Sequence, residues 1–178
     1  MEIKHISPEH AGVMSQNITK YIEKLEEYGL ATHDLIFAKG NEIFFEKYWK
    51  PFDKGFLHRM YSVSKSFVAV AAGFAIQDGY FSLDDKIVDY FKEYPMDGMD
   101  KNFNNLTIRE MLMMSTARPE RCSWFKERTD DRVKIYFNKY SSLSKPGGTI
   151  FEYDSHGSFV VGALIEKLSG MELMEYLR

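Results

Sequence analysis

Cysteine is almost absent from this chain. Cys122 stands alone, so no internal disulfide is available, and no second Cys or His flanks it at metal-ligand spacing. An idle thiol is expected there, with no metal or cofactor. An excess of positive charge is also missing. The formal net charge is −3 and the basic residues are scattered, which excludes the basic surface that a nucleic-acid partner requires. Long apolar runs are lacking too. The longest, residues 67–76, ends at Gln77-Asp78 and is too short to span a bilayer, and residues 1–10 contain no apolar core of a signal peptide. The expectation is a cytoplasmic chain off the membrane, with no repeats and no low-complexity linker.

What is present is apolar material enough for a core. Hydrophobic residues make up 44% and aromatics 15% of 178 residues, which fits one globular domain. Residues 8–28 carry Val13, Ile18, Tyr21, Ile22 and Leu25 at helical spacing, closed by Gly29. The period then changes to that of strands over residues 34–39 and 42–49, joined by the turn pair Gly40-Asn41. A helix is predicted from Ser62 to Gly79, a short one from Ser82 through Phe91, and another from the capping box Thr107-Ile108-Arg109-Glu110. A mixed helical stretch covers residues 131–140. The turn Pro146-Gly147-Gly148 precedes a helix over residues 157–168, with Gly170 as its C-cap, and a last helix starts at Glu172. Met111, Met113 and Met114 read as core filler, and His58 and Arg59 as loop residues.

Chemistry enters at Ser62-Val63-Ser64-Lys65, which leads straight into the apolar run. A three-residue offset on a helix puts the Ser62 hydroxyl and the Lys65 amine on one face, within hydrogen-bonding reach. A serine hydroxyl is a weak nucleophile until a neighbour takes its proton, and a lysine does so when burial disfavours its charged form. Spacing alone is cheap: roughly one such match arises by chance in a chain of this size. Three occur here, at Ser62/Lys65, Ser123/Lys126 and Ser142/Lys145. Only the first opens a segment apolar enough for a core helix, whose N-terminal dipole favours a developing oxyanion.

Four blocks in order resemble the serine β-lactamase-like hydrolases, the family of class C β-lactamases, DD-peptidases and related esterases and amidases. Tyr61-Ser62-Val63-Ser64-Lys65-Ser66-Phe67 is similar to its nucleophile motif. Leu83-Asp84-Asp85-Lys86 and Leu106-Thr107-Ile108-Arg109-Glu110-Met111-Leu112 are similar to the two helix starts that follow it. Residues 146–153, Pro-Gly-Gly-Thr-Ile-Phe-Glu-Tyr, with residues 162–170 resemble its tyrosine motif and trailing helix. The resemblance implies an α+β transpeptidase-like fold represented by its N-terminal portion. That portion is an opening helix and first β-hairpin over about residues 1–60, then the nucleophile helix and most of the helical lobe over about 61–178, without the later sheet strands. It implies a serine hydrolase acting on a small ester or amide, with Ser62 acylated, Lys65 as its base and Tyr153 shuttling the proton to the leaving group. The alternative is a non-catalytic fragment or a binding-only remnant of the fold.

Two departures bear on that choice. Where many members have Tyr-x-Asn, this chain has Tyr153-Asp154-Ser155, so Ser155 is the expected substrate contact, shorter than the amide it replaces. His156 is a further candidate for lining the cleft, against the plainer reading of a surface histidine at a helix start. A literal Tyr-x-Asn at Tyr136-Phe137-Asn138 lacks the preceding turn and the following apolar helix. The family's third motif, Lys-Thr-Gly or His-x-Gly on a later strand, has no counterpart after Tyr153. That strand supplies one of the two oxyanion-hole amides in the family, and losing one such donor costs roughly a hundred- to a thousandfold in turnover.

An open strand edge lined by Ile43, Phe44, Phe45, Tyr48 and Trp49, or else by their neighbours Leu35, Ile36 and Phe37, invites self-association. Purified residues 1–178 are expected to oligomerise by light scattering and to show no esterase turnover above a Ser62→Ala control. A monodisperse, active monomer is the contrary result.

Overall fold

The computed structural model describes residues 3–94, 98–117 and 129–178, and Cys122, Ser123 and Lys126 lie outside them. The backbone divides into two compact units, Met1–Arg59 and Met60–Arg178.

The first unit holds a sheet of three strands, one more than the sequence predicts: β1 (Lys4–His5), β2 (Asp34–Lys39) and β3 (Glu42–Tyr48), in the order β1-β3-β2. β2 and β3 form the expected hairpin around Gly40, whose φ of 59° suits glycine, with a bulge between Phe37 and Ala38. β1 pairs in parallel with the start of β3, placing Lys4 opposite Glu42 and His5 opposite Ile43. β3 is therefore the central strand rather than an edge, and β2 lies at the border. Helix α1 (Ser15–Glu27) starts seven residues later than its periodicity suggests, because residues 8–12 form turns closed by Val13 N–H to Pro8 O at 2.8 Å. Its Tyr21 ring meets Phe37 of β2 edge-on, with centroids 5.7 Å apart. His58 is a loop residue as expected, packed against Phe52 and His33.

The second unit is helical. A 3₁₀ turn, Tyr61–Val63, runs directly into α2 (Ser64–Gln77). The predicted helix at Ser82 is instead a turn, held by Ser82 N–H to the Asp85 carboxylate at 2.8 Å, and only Ile87–Tyr90 winds, as a 3₁₀ turn. Helix α3 (Lys101–Asn104), capped by Asp100, carries no apolar period and was not predicted. The capping box forms in full at α4 (Ile108–Leu112): Thr107 accepts from Glu110 N–H, and Glu110 accepts from Thr107 N–H. The turn at residues 146–148 rests on that cap, where a Cβ at Gly147 would lie 2.5 Å from the Glu110 carboxylate. Helices α5 (Arg132–Lys139), α6 (Ser155–Ser169) and α7 (Leu173–Tyr176) complete the unit, and Gly170 ends α6 with a φ of 71°.

One core joins these elements. Ala71, Ala72 and Ala75 of α2 pack with Val160, Val161 and Leu164 of α6, together with Phe103, Ile108 and Met111. Small residues on α2 let α6 approach closely, and a Cβ at Gly162 would touch Val68 of α2 and Leu173 of α7. Two expectations fail here. α2 is buried on one face only, with Phe67, Val70 and Phe74 about half exposed. Of the three methionines Met111 is in the core, but Met113 is 58% exposed because it caps the short α4. Tyr136 and Phe137 are buried in the core, which removes Tyr136-Phe137-Asn138 from any surface site, and Ser142 to Lys145 open no helix.

Leu164→Ala is expected to lower the unfolding free energy by about 2–5 kcal/mol in urea denaturation, because the fixed α2–α6 spacing prevents the cavity from collapsing.

Candidate active site

Ser62 sits in the 3₁₀ turn that opens α2, and Lys65 in the first turn of the helix proper. The tight turn brings the Lys65 Nζ to 3.0 Å from the Ser62 Oγ, where it donates a hydrogen bond. Just before Ser62 the backbone of Tyr61 takes a φ of 46°, a conformation a bulky residue adopts at some energetic cost. Ser62 is exposed and Lys65 partly so. The burial that the sequence reading required of Lys65 is thus not supplied among the described residues.

The third group arrives from 91 residues away. The Tyr153 hydroxyl hydrogen-bonds the Ser62 Oγ at 2.5 Å. It is placed there because Tyr153 directly precedes the N-cap of α6, and α6 packs against α2. The Lys65 Nζ lies 4.9 Å from the Tyr153 ring centroid. Hydrogen bonding from Lys65, and next from Ser62, holds the Tyr153 phenol below its ordinary pKa, with a smaller contribution from Ser155. The side chain is 55% exposed, so solvent screens part of this effect. A phenolate beside an ammonium and in contact with a serine hydroxyl is a competent proton acceptor.

The predicted substrate contacts separate. Ser155 is the first residue of α6 and is exposed beside Tyr153. His156 also begins α6, but its side chain is only 13% exposed, contrary to the surface reading. Its ring is held by Asp154, with Nδ1 3.1 Å from the carboxylate, and lies against Tyr140. Asp154, the middle residue of the tyrosine motif, is a buried N-cap of α6. Its partner Thr116 carried no sequence signal. Among the described residues no group of three or more His, Cys, Asp or Glu side chains is arranged to hold a metal ion. No helix among them is long and apolar enough to cross a membrane.

Residues 15–178 match the family model described as Beta-lactamase. Penicillin-binding protein 4* of Bacillus subtilis (strain 168) is 23% identical over 185 residues, an overlap covering 93% of this chain and 40% of that protein. Among solved structures, a class C beta-lactamase in complex with cefoxitin superposes with a TM-score of 0.72 at 17% identity, over 89% of this chain and 46% of the other. The D-amino acid amidase from Ochrobactrum anthropi SV3 gives 0.58 at 20% identity, over 84% and 48%. The chain therefore spans less than half the length of each.

Because the Tyr153 phenol is depressed in the folded state, its ionised form stabilises the fold. That contribution is fully present above the unfolded pKa of about 10 and is lost as pH falls through the lower folded value. Urea denaturation should show the stability of the native chain gaining on Tyr153→Phe as pH rises from neutrality towards about 10, and Lys65→Ala should flatten that gain.

Proposed function

Since the chain belongs to the β-lactamase family of hydrolases and has its α+β fold in part, we propose that it carries the acylation machinery of a serine hydrolase acting on a small ester or amide. The carrying observation is the meeting of Ser62 Oγ with Lys65 Nζ at 3.0 Å and Tyr153 OH at 2.5 Å. In this reading the Tyr153 phenolate, favoured by the Lys65 ammonium, accepts the Ser62 proton as Oγ attacks the carbonyl carbon. The tetrahedral intermediate collapses, the bond to the leaving alkoxide or amine breaks, and Tyr153 returns the proton to that group. Water then attacks the Ser62 ester by the same route in reverse, releasing the acid. Lys65 assists by holding the charge on Tyr153, a role that suits a lysine in partial contact with solvent. Ser155, exposed beside Tyr153, is the proposed contact for the substrate carbonyl side. His156, turned to Asp154, contributes through the shape of the helix start. The setting we propose is cytoplasmic, where a lone cysteine is the ordinary condition.

A second reading is favoured by one observation: Ser155 stands where many members of the family have the longer asparagine amide. It is a binding-only or non-catalytic part of the same fold, capable of association through its sheet border.

A fluorophosphonate probe separates the two, since one covalent event needs no turnover. Mass spectrometry should find the adduct on the Ser62 peptide, absent in Ser62→Ala. Lys65→Ala and Tyr153→Phe should slow labelling at least about a hundredfold. No adduct, or equal labelling of Ser142, would favour the non-catalytic reading.

A further inference from the structure

Tyr153 is pinned to a single loop through both of its neighbours. On one side Glu152 N–H donates to Met114 O at 2.9 Å. On the other, Asp154 is only 5% exposed and spends both carboxylate oxygens: one accepts from His156 N–H at 2.8 Å, capping α6, and the other from the Thr116 hydroxyl at 3.0 Å. Thr116 is fully buried. The space around the pair is filled as well, for a Cβ at Gly157 would come within 3.3 Å of both the Asp154 carboxylate and Met111 O.

The loop that receives these bonds is itself over-determined. Met114 and Ala117 have φ of 54° and 46°, left-handed conformations that persist in such residues only where the surroundings impose them. Gly148 N–H donates to Ser115 O at 2.9 Å, and Ser144 donates to Ala117 O through both its N–H and its hydroxyl at 2.8 Å. An ordinary N-cap at a solvated helix end needs one acceptor and any of Ser, Thr, Asn or Asp. Here a carboxylate is buried, which is tolerated only when its hydrogen-bonding capacity is met. The arrangement fixes the backbone of the residue between.

We infer that Thr116 and Asp154 form a buried anchor that positions Tyr153, keeping its hydroxyl on the Ser62 Oγ. They are positioning residues, because they act through Tyr153. The inference rests on the reading of Tyr153 as proton carrier, although its central test does not require catalysis. Displacing a reacting group by about 1 Å can cost a hundredfold in rate, so a loose tyrosine is a slow one. The contact with Lys65 and Ser62 also depresses the Tyr153 phenol, so the ionisation of Tyr153 reports on its alignment.

The experiment follows the ionisation of Tyr153 by NMR in the chain labelled with [13Cζ]tyrosine, its signal identified by loss in Tyr153→Phe. Thr116→Val keeps the shape and removes the hydroxyl, Asp154→Ala removes the anchor, and Asp154→Asn keeps an acceptor for the cap and a group to pair with Thr116. In Thr116→Val and Asp154→Ala the Tyr153 midpoint should move to higher pH, and fluorophosphonate labelling of Ser62 should fall at least about tenfold, with the helical circular dichroism retained. Asp154→Asn should restore both. If Asp154→Ala does not fold, Thr116→Val and Asp154→Asn decide the matter. An unmoved Tyr153 midpoint in folded Thr116→Val or Asp154→Ala overturns the anchor. Labelling that is indifferent to Tyr153→Phe overturns the proton-carrier reading instead, and the NMR midpoint still judges the anchor.

Discussion

Everything at the candidate site depends on how closely α6 lies against α2. Neither Ser62 nor Tyr153 is deeply buried, and neither is held by a dense set of bonds of its own. Their meeting follows from a helix interface in which Ala71, Ala72 and Ala75 offer small surfaces to Val160, Val161 and Leu164, and in which a Cβ at Gly162 would reach Val68. Close packing fixes the spacing of the helix axes, and interiors at crystal-like density do not slide by fractions of an ångström without a penalty. The N-terminal ends of the two helices are thereby brought side by side. A serine at one and a tyrosine just ahead of the other then fall within 2.5 Å. The contact is a consequence of core packing several residues away.

That geometry adds a third group to the pair suggested by spacing alone. The serine-lysine pair looks like a nucleophile and its base. Tyr153 is held both to Ser62 and beside the Lys65 amine, and hydrogen bonding from these two groups lowers the phenol's pKa. A cation next to a phenol favours its charged form.

Much of this was legible in the sequence, and the rest was hidden for physical reasons. Ser62 and Lys65 are linked by local spacing, and the turn and cap signals at Gly40, Thr107 and Gly170 act over a few residues, so one dimension suffices to see them. Tyr153 is distant from Ser62 and could be tied to it only by the order of four blocks. β1 is two residues of mixed polarity whose strand character comes entirely from its partner β3. Ser82 reads as a helix start, but its N–H bonds the Asp85 carboxylate in a closed turn, and only Ile87–Tyr90 winds beyond it. His156 reads as a surface residue because a helix start is usually wet, whereas here its ring is largely covered, held by Asp154 and lying against Tyr140.

The seat of Gly147 on Glu110 has an evolutionary side. The Glu110 carboxylate steps aside only at the expense of the capping box that it closes on Thr107 N–H at 2.9 Å. A larger side chain at 147 would push the end of the Glu110 side chain aside, and the bond at the start of α4 would be strained with it. Bulk at the turn is thus weighed against a helix cap, and the two positions are linked through one carboxylate.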